Sequence, residues 1–115
     1  MPYKRGDVVL VFFPNSDLKT YKKRPALVVL GDDLNTGLRQ RIVALITSNR
    51  NRTGPTRIPI QKHHPAAQTM GLRTDSVVVA DNLATVLDRE IDKAIGHCPL
   101  MHQIDQALKR TLGLT

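Results

Sequence analysis

The sequence predicts a small, mainly β barrel closed on one side by a C-terminal α-helix. Three observations predict it: short apolar runs at regular spacing, polar turn-rich stretches between them, and a final run with helical rather than strand periodicity. A length of 115 residues suits one domain, 1–115, and 41% hydrophobic content suits a folded core. That core must be aliphatic, because aromatic residues are only 3% and Trp is absent.

Val8-Val9-Leu10-Val11-Phe12-Phe13 is an unbroken apolar run stopped by Pro14, the pattern of a buried strand. Ala26-Leu27-Val28-Val29-Leu30 follows Pro25 and stops at Gly31. Ile42-Val43-Ala44-Leu45-Ile46 runs into Thr47-Ser48-Asn49. Arg57-Ile58-Pro59-Ile60 alternates, and Pro59, with no N–H to give a ladder, makes it an edge strand. Ser76-Val77-Val78-Val79-Ala80 is β-branched and ends at Asp81. Between the runs, 15–24, 49–57 and 61–74 are polar and predict loops. Leu100, Met101, Ile104, Ala107, Leu108 and Leu112 recur at helical spacing, with Pro99 in the first turn and Gly113 as the stop. Residues 82–95 read two ways. Leu83, Val86, Leu87, Ile91, Ala94 and Ile95 make a helical stripe. The β-branched residues, Asp88-Arg89-Glu90 and Gly96 also allow strand, turn and strand.

Seventeen Lys and Arg against ten Asp and Glu give a net charge of +7. That balance favours a polyanionic partner, nucleic acid or an acidic protein, over a purely solubilising surface. The single cysteine, Cys98, cannot form an internal disulfide, which suits a reducing cytoplasm. The N-terminus lacks the layout of a secretory signal, and no apolar run reaches membrane-spanning length. One cysteine and no HxH or HExxH spacing argue against a metal site, so no cofactor is expected.

Lys22-Lys23-Arg24-Pro25 sits at the mouth of a buried strand. Pro25 keeps Arg24 out of helical conformation, and a fixed guanidinium is a good phosphate ligand. The same residues also read as a solvated basic turn. Thr47-Ser48-Asn49-Arg50 offers hydroxyl, amide and guanidinium groups to phosphate oxygens, or simply a turn that caps its own backbone. Asp81 could orient a base or an arginine, or be an ordinary strand-end residue. Asp17, among Lys19, Lys22 and Lys23, carries the same ambiguity. His63 and His64 are adjacent and should point apart, so they do not make an acid–base pair.

Taken in order, Arg5-Gly6-Asp7-Val8-Val9-Leu10-Val11, Phe13-Pro14, Lys23-Arg24-Pro25-Ala26-Leu27-Val28-Val29, Ile46-Thr47-Ser48, Gly71-Leu72, Asp75-Ser76-Val77-Val78, Ala80-Asp81, Ala84-Thr85-Val86 and the end from Ala107 to Leu114 resemble the MazF/PemK toxins over nearly the whole chain. The resemblance implies an SH3-like barrel of the MazF/PemK/CcdB type and a symmetric homodimer. It implies metal-independent, sequence-selective cleavage of single-stranded RNA and an acidic cognate antitoxin. It maps the principal catalytic residues onto Arg24 and Thr47, and a family acid onto Asp81. RNA is then expected along the loops 15–24 and 48–57, against Asp17, Lys19, Tyr21, Lys22, Lys23, Ser48, Asn49, Arg50, Arg52 and Arg57. Attack by the ribose 2′-hydroxyl would leave a 2′,3′-cyclic phosphate and a 5′-hydroxyl. Tyr21 is the aromatic expected to meet a base, and at least one of Phe12 and Phe13 is expected in the core. Two departures stand out. Val79 occupies a position where some relatives carry arginine. Asn15-Ser16-Asp17-Leu18-Lys19 replaces a Gly-Glu loop, which suggests the PemK-like branch. The family pattern also selects strand, turn and strand for 82–95. A CcdB-like gyrase-binding toxin, or a catalytically silent nucleic-acid-binding relative, are the rival readings.

Overall fold

A computed structural model describes residues 3–14, 17, 19–32, 34, 37–51 and 53–114. Six strands form one antiparallel sheet: β1 (Asp7–Pro14), β2 (Tyr21–Val28), β3 (Gln40–Thr47), β4 (Arg57–Ile60), β5 (Ser76–Leu87) and β6 (Ile91–His97). Two helices accompany them, α1 (Pro65–Thr69) and α2 (Met101–Leu112). The strand order is β4-β5-β3-β2-β1-β6. β4 is an edge strand, as Pro59 requires. β4 and β6 do not pair, so the expected barrel is an open, six-stranded sheet rather than a closed one.

The elements differ from the sequence expectation in identifiable ways. β2 begins at Tyr21, so Tyr21–Arg24 are strand and not loop. Polar side chains are tolerated there because all four are exposed, while Ala26, Leu27 and Val28 are buried. β5 does not stop at Asp81 but runs on to Leu87, twelve residues in all. Its pairing with β3 jumps from Leu45↔Val79 to Ala44↔Leu83, a bulge that absorbs residues 80–82 and lets the strand change direction. Residues 82–95 are strand, a single 3₁₀ turn at Asp88–Glu90, and strand, so the helical stripe there does not correspond to a helix. The polar stretch 61–74 hides α1, too short for a periodicity signal. His64 caps it by accepting the Ala66 N–H on Nδ1 (3.0 Å), and Pro65 opens it. Pro99 lies two residues before α2, and Gly113 ends that helix in the left-handed region (φ 68°).

Strand alternation separates two cores. On one face Val8, Leu27, Ala44, Ile46, Val78 and Ala80 pack with Ile104 and Ala107 of α2 and Met70 beside α1. On the other, Val9, Val11, Ala26, Val28, Val43, Val86 and Ile91 form a second cluster, with Phe13 and Ala84 half-buried against it. The helices therefore cover the first face, and the candidate site opens on the second.

Candidate active site

Arg24 and Thr47 lie on the neighbouring strands β2 and β3, each two residues beyond the last paired residues of their shared ladder. The β2–β3 ladder pairs Ala26 with Leu45, Leu27 with Ala44 and Val28 with Val43. The ladder stops at Ala26↔Leu45; counted two residues outward, its register would bring Arg24 towards Thr47. Pro25 has no N–H to give, and the pairing of β2 with β3 stops beside it while the pairing with β1 continues to Tyr21. Adjacent strands lie about 4.8 Å apart, and residues of like parity share a face. Arg24 shares that of Ala26 and Val28, and Thr47 that of Val43 and Leu45.

Arg24 is exposed and has no hydrogen-bond or ion-pair partner among the described residues. It lines a cleft of about 260 Å³ with Phe13, Val43, Leu45, Asn82 and Ala84. Thr47 Oγ1 accepts the Asn49 N–H (3.1 Å), and Asn49 Oδ1 accepts the Asn51 N–H (3.1 Å). These two local turns fix the start of the β3–β4 loop and leave the Thr47 hydroxyl proton to donate outward.

Asp81 stands further along the same face and is already engaged. Arg57 Nε donates to its Oδ1 (3.0 Å) and Arg57 Nη2 to its Oδ2 (2.9 Å), a two-pronged pair. The Arg57 guanidinium holds the Asp81 carboxyl below the usual range, with the Thr56 hydroxyl helping. A second cleft, of about 300 Å³, lies beside Arg57 and is lined by Arg50, Pro59, Asp75 and Val77 among others. Val77 is the cross-strand partner of Thr47.

The other expected RNA ligands separate. Asp17 shapes the β1–β2 loop: it accepts the N–H groups of Lys19 (2.8 Å) and Thr20 (3.1 Å), and the Lys19 N–H above all pulls its pKa down. Lys19 is exposed in that loop, and Ser48 and Asn49 are exposed after β3. Lys22 shares Arg24's face by alternation, whereas Tyr21 and Lys23 point to the opposite one. Lys23 pairs with Asp92 (3.1 Å) and lies 5.6 Å over the Phe12 ring. Arg50 pairs with Asp75 (3.1 Å), whose other oxygen accepts the Lys62 N–H (2.8 Å). Arg52 lies outside the described residues. Phe13 is half-buried against the second core and Phe12 is exposed, so neither is fully in the core. The sequence reading did not select Phe13, Leu45 and Asn82 as cleft walls, or Asp75 as the anchor of Arg50. Only the parity of Phe13 and Leu45 relative to Arg24 signals the first two. Among the described residues, no three His, Cys, Asp or Glu side chains converge as a metal-binding group.

The chain is thus a basic protein built on an open antiparallel sheet with a C-terminal helix, with an exposed arginine that has no side-chain partner among the described residues in a cleft on the face opposite the helices. Residues 4–112 match the family model described as PemK-like, MazF-like toxin of type II toxin-antitoxin system, and the chain belongs to that family. It is 36% identical over 104 residues to endoribonuclease MazF2 of Mycobacterium bovis and, equally, to endoribonuclease MazF6 of Mycobacterium tuberculosis, covering 88% of each chain. Its fold matches a mycobacterial endoribonuclease solved in complex with its cognate antitoxin, with TM-score 0.74, 27% identity and coverage of 98% of this chain and 97% of that one. A MazE–MazF structure from Deinococcus radiodurans shares the fold at TM-score 0.73 and 20% identity, over 100% of this chain and 99% of that one.

Proposed function

We propose that this chain cleaves single-stranded RNA by attack of a ribose 2′-hydroxyl on the adjacent phosphate, with Arg24 and Thr47 at the reacting phosphate. The chain is a toxin of a type II toxin–antitoxin system and an endoribonuclease of the MazF kind. The observation that supports the mechanism is an exposed arginine, with no side-chain partner among the described residues, that lines a cleft on the strand next to the one ending in Thr47, whose hydroxyl oxygen accepts a backbone N–H.

In the reaction the 2′-oxygen bonds to phosphorus and gives up its proton, while the 5′-oxygen leaves and takes one. The products are a 2′,3′-cyclic phosphate and a 5′-hydroxyl. Negative charge builds on the non-bridging oxygens. Arg24 offers a guanidinium that no other side chain neutralises, and Thr47 donates its O–H to a non-bridging oxygen. Thr47 is oriented before substrate arrives by the Asn49 N–H that its oxygen accepts, and preset donors give the largest catalytic effect. Lys19, Lys22, Ser48 and Asn49 flank that point and suit the RNA backbone, with Asp17 shaping the loop that carries Lys19. The cycle needs no metal. The relative solved with its antitoxin supports an antitoxin as partner, and the net charge of +7 suits an acidic one competing for the RNA surface. A homodimer would extend the cleft across two copies.

The test is cleavage of a long single-stranded RNA in EDTA by wild type, Arg24→Ala and Thr47→Ala, each shown to be folded. Defined cuts by the wild type, slowed about 10²–10³-fold by each substitution, are expected. An intact wild type that cuts no RNA would overturn the assignment and favour a protein-binding toxin on the same fold.

A further inference from the structure

Arg57 and Asp81 form a unit whose geometry differs from that of Arg24. A guanidinium has five N–H donors. Arg57 spends two on the Asp81 carboxylate and one, from Nη1, on the Thr53 carbonyl (2.9 Å). Two N–H groups remain, one on each terminal nitrogen, on a side chain still 27% exposed. The Asp81 and Thr53 contacts remove most of the rotamer freedom that an arginine otherwise loses on binding a ligand.

Position restricts what those two donors can reach. Arg57 is the cross-strand partner of Val79, and Val79 of Leu45, so all three share the face that bears Thr47. β4 is two strands from β3, roughly 10 Å away at ordinary sheet spacing. Held by Asp81, Arg57 is too far to share one phosphate with Thr47, yet it stands on the same open surface. Beside Arg57 lies the 300 Å³ cleft, lined also by Val77, the cross-strand partner of Thr47, and by Pro59 and Arg50. Val79, small and buried, leaves the space over the β5 strand to its cross-strand neighbour Arg57.

We propose that Arg57, positioned by Asp81, holds an RNA phosphate flanking the scissile one, and that the cleft beside it seats the intervening nucleotide. This rests on the ribonuclease reading above and assigns Asp81 a role in positioning Arg57. A carboxylate locked in a two-pronged pair has its oxygens occupied and stays ionised, so it is a poor proton carrier.

The experiment uses the full-length chain and RNA oligonucleotides that contain one cut site. A single neutral methylphosphonate replaces each phosphate in turn around that site. With wild type, one flanking position should raise KM about tenfold or more. With Arg57→Ala, KM for the unmodified RNA should rise by a similar factor, that methylphosphonate should have no further effect, and kcat should stay within about threefold. Asp81→Asn should raise KM with kcat and the shape of its pH profile unchanged, and the Asp81→Asn/Arg57→Ala double variant should be no worse than Arg57→Ala. Arg57→Lys, which keeps the charge without the fork, covers the case in which Arg57→Ala fails to fold, and should retain part of the methylphosphonate sensitivity. A hundredfold fall in kcat for folded Asp81→Asn, or loss of one limb of its pH profile, would overturn the positioning role. Equal methylphosphonate sensitivity in wild type and folded Arg57→Ala would overturn the phosphate contact. Neither result touches the Arg24–Thr47 assignment. A wild type that cuts no RNA removes that assignment and this one together.

Discussion

Arg24 and Arg57 present the same functional group in opposite electrostatic settings. Arg24 is unpartnered among the described residues, so its full charge is available to a phosphate that becomes more negative in the transition state. Arg57 is neutralised by Asp81 and suited to a ground-state contact that changes little during the reaction. The expected kinetic signatures therefore separate: Arg24→Ala lowers kcat, Arg57→Ala raises KM, and steady-state kinetics on a single-site RNA distinguish them. The carboxylates give a stability prediction. Asp17, Asp75 and Asp81 all titrate below their ordinary value of 3.8, because of the Lys19 N–H, the Lys62 N–H and the Arg57 guanidinium respectively. A carboxylate depressed on folding stabilises the native state above its unfolded pKa, and that contribution is lost as pH falls through the lower folded value. The thermal midpoint should thus vary little through these groups between about pH 5 and 7, then fall below about pH 4. Asp81→Asn should make the acid limb shallower.

The strands carry the site, and their ends were only partly legible. Apolar runs marked the buried portions of β1, β2, β3 and β5 because burial demands them. Tyr21–Arg24 belong to β2 although every one is polar, since a strand continues wherever its neighbour offers a ladder: β1 pairs with it as far as Pro14↔Tyr21. The bulge at 80–82 left no periodic trace, so Asp81 read as a strand end when it is a point of strand curvature. Arg24, Thr47 and Asp81 were picked as candidates by residue type and family pattern; their neighbours became apparent only from register. The partnership of Arg57 with Asp81 joins residues 24 apart and cannot be read from local sequence. Close packing of α1 on β6 was also hidden, although glycine marked it. A Cβ on Gly96 would stand 2.4 Å from the Thr69 carbonyl oxygen, and one on Gly71, at φ +73°, 2.3 Å from that of Ile95. Gly96→Ala should lower the thermal midpoint by roughly 5–15 °C, measured by calorimetry, because backbone must move to admit the methyl group.

At the scale of the whole molecule, the two faces of the sheet divide the labour. α2 buries Ile104 and Ala107 against one face and anchors the fold, and its Asp105 receives Arg5 from the N-terminal segment at 2.6 Å. The opposite face carries Arg24, Thr47 and Arg57 on strands that share a valine-rich core, so the sheet holds the backbone of all three donors. An excess of positive charge over that scaffold makes RNA affinity fall with salt, since each phosphate neutralised releases counterions. KM should therefore rise steeply with added salt while kcat changes little. The central claim is that the nucleophile is the RNA's own 2′-hydroxyl. It is tested most directly by replacing the single ribose 5′ to the cut with deoxyribose, in an otherwise identical RNA. Cleavage should stop at that bond and continue at an unmodified site in the same molecule, leaving a 2′,3′-cyclic phosphate there. Cleavage that persists at the deoxy position would contradict the account.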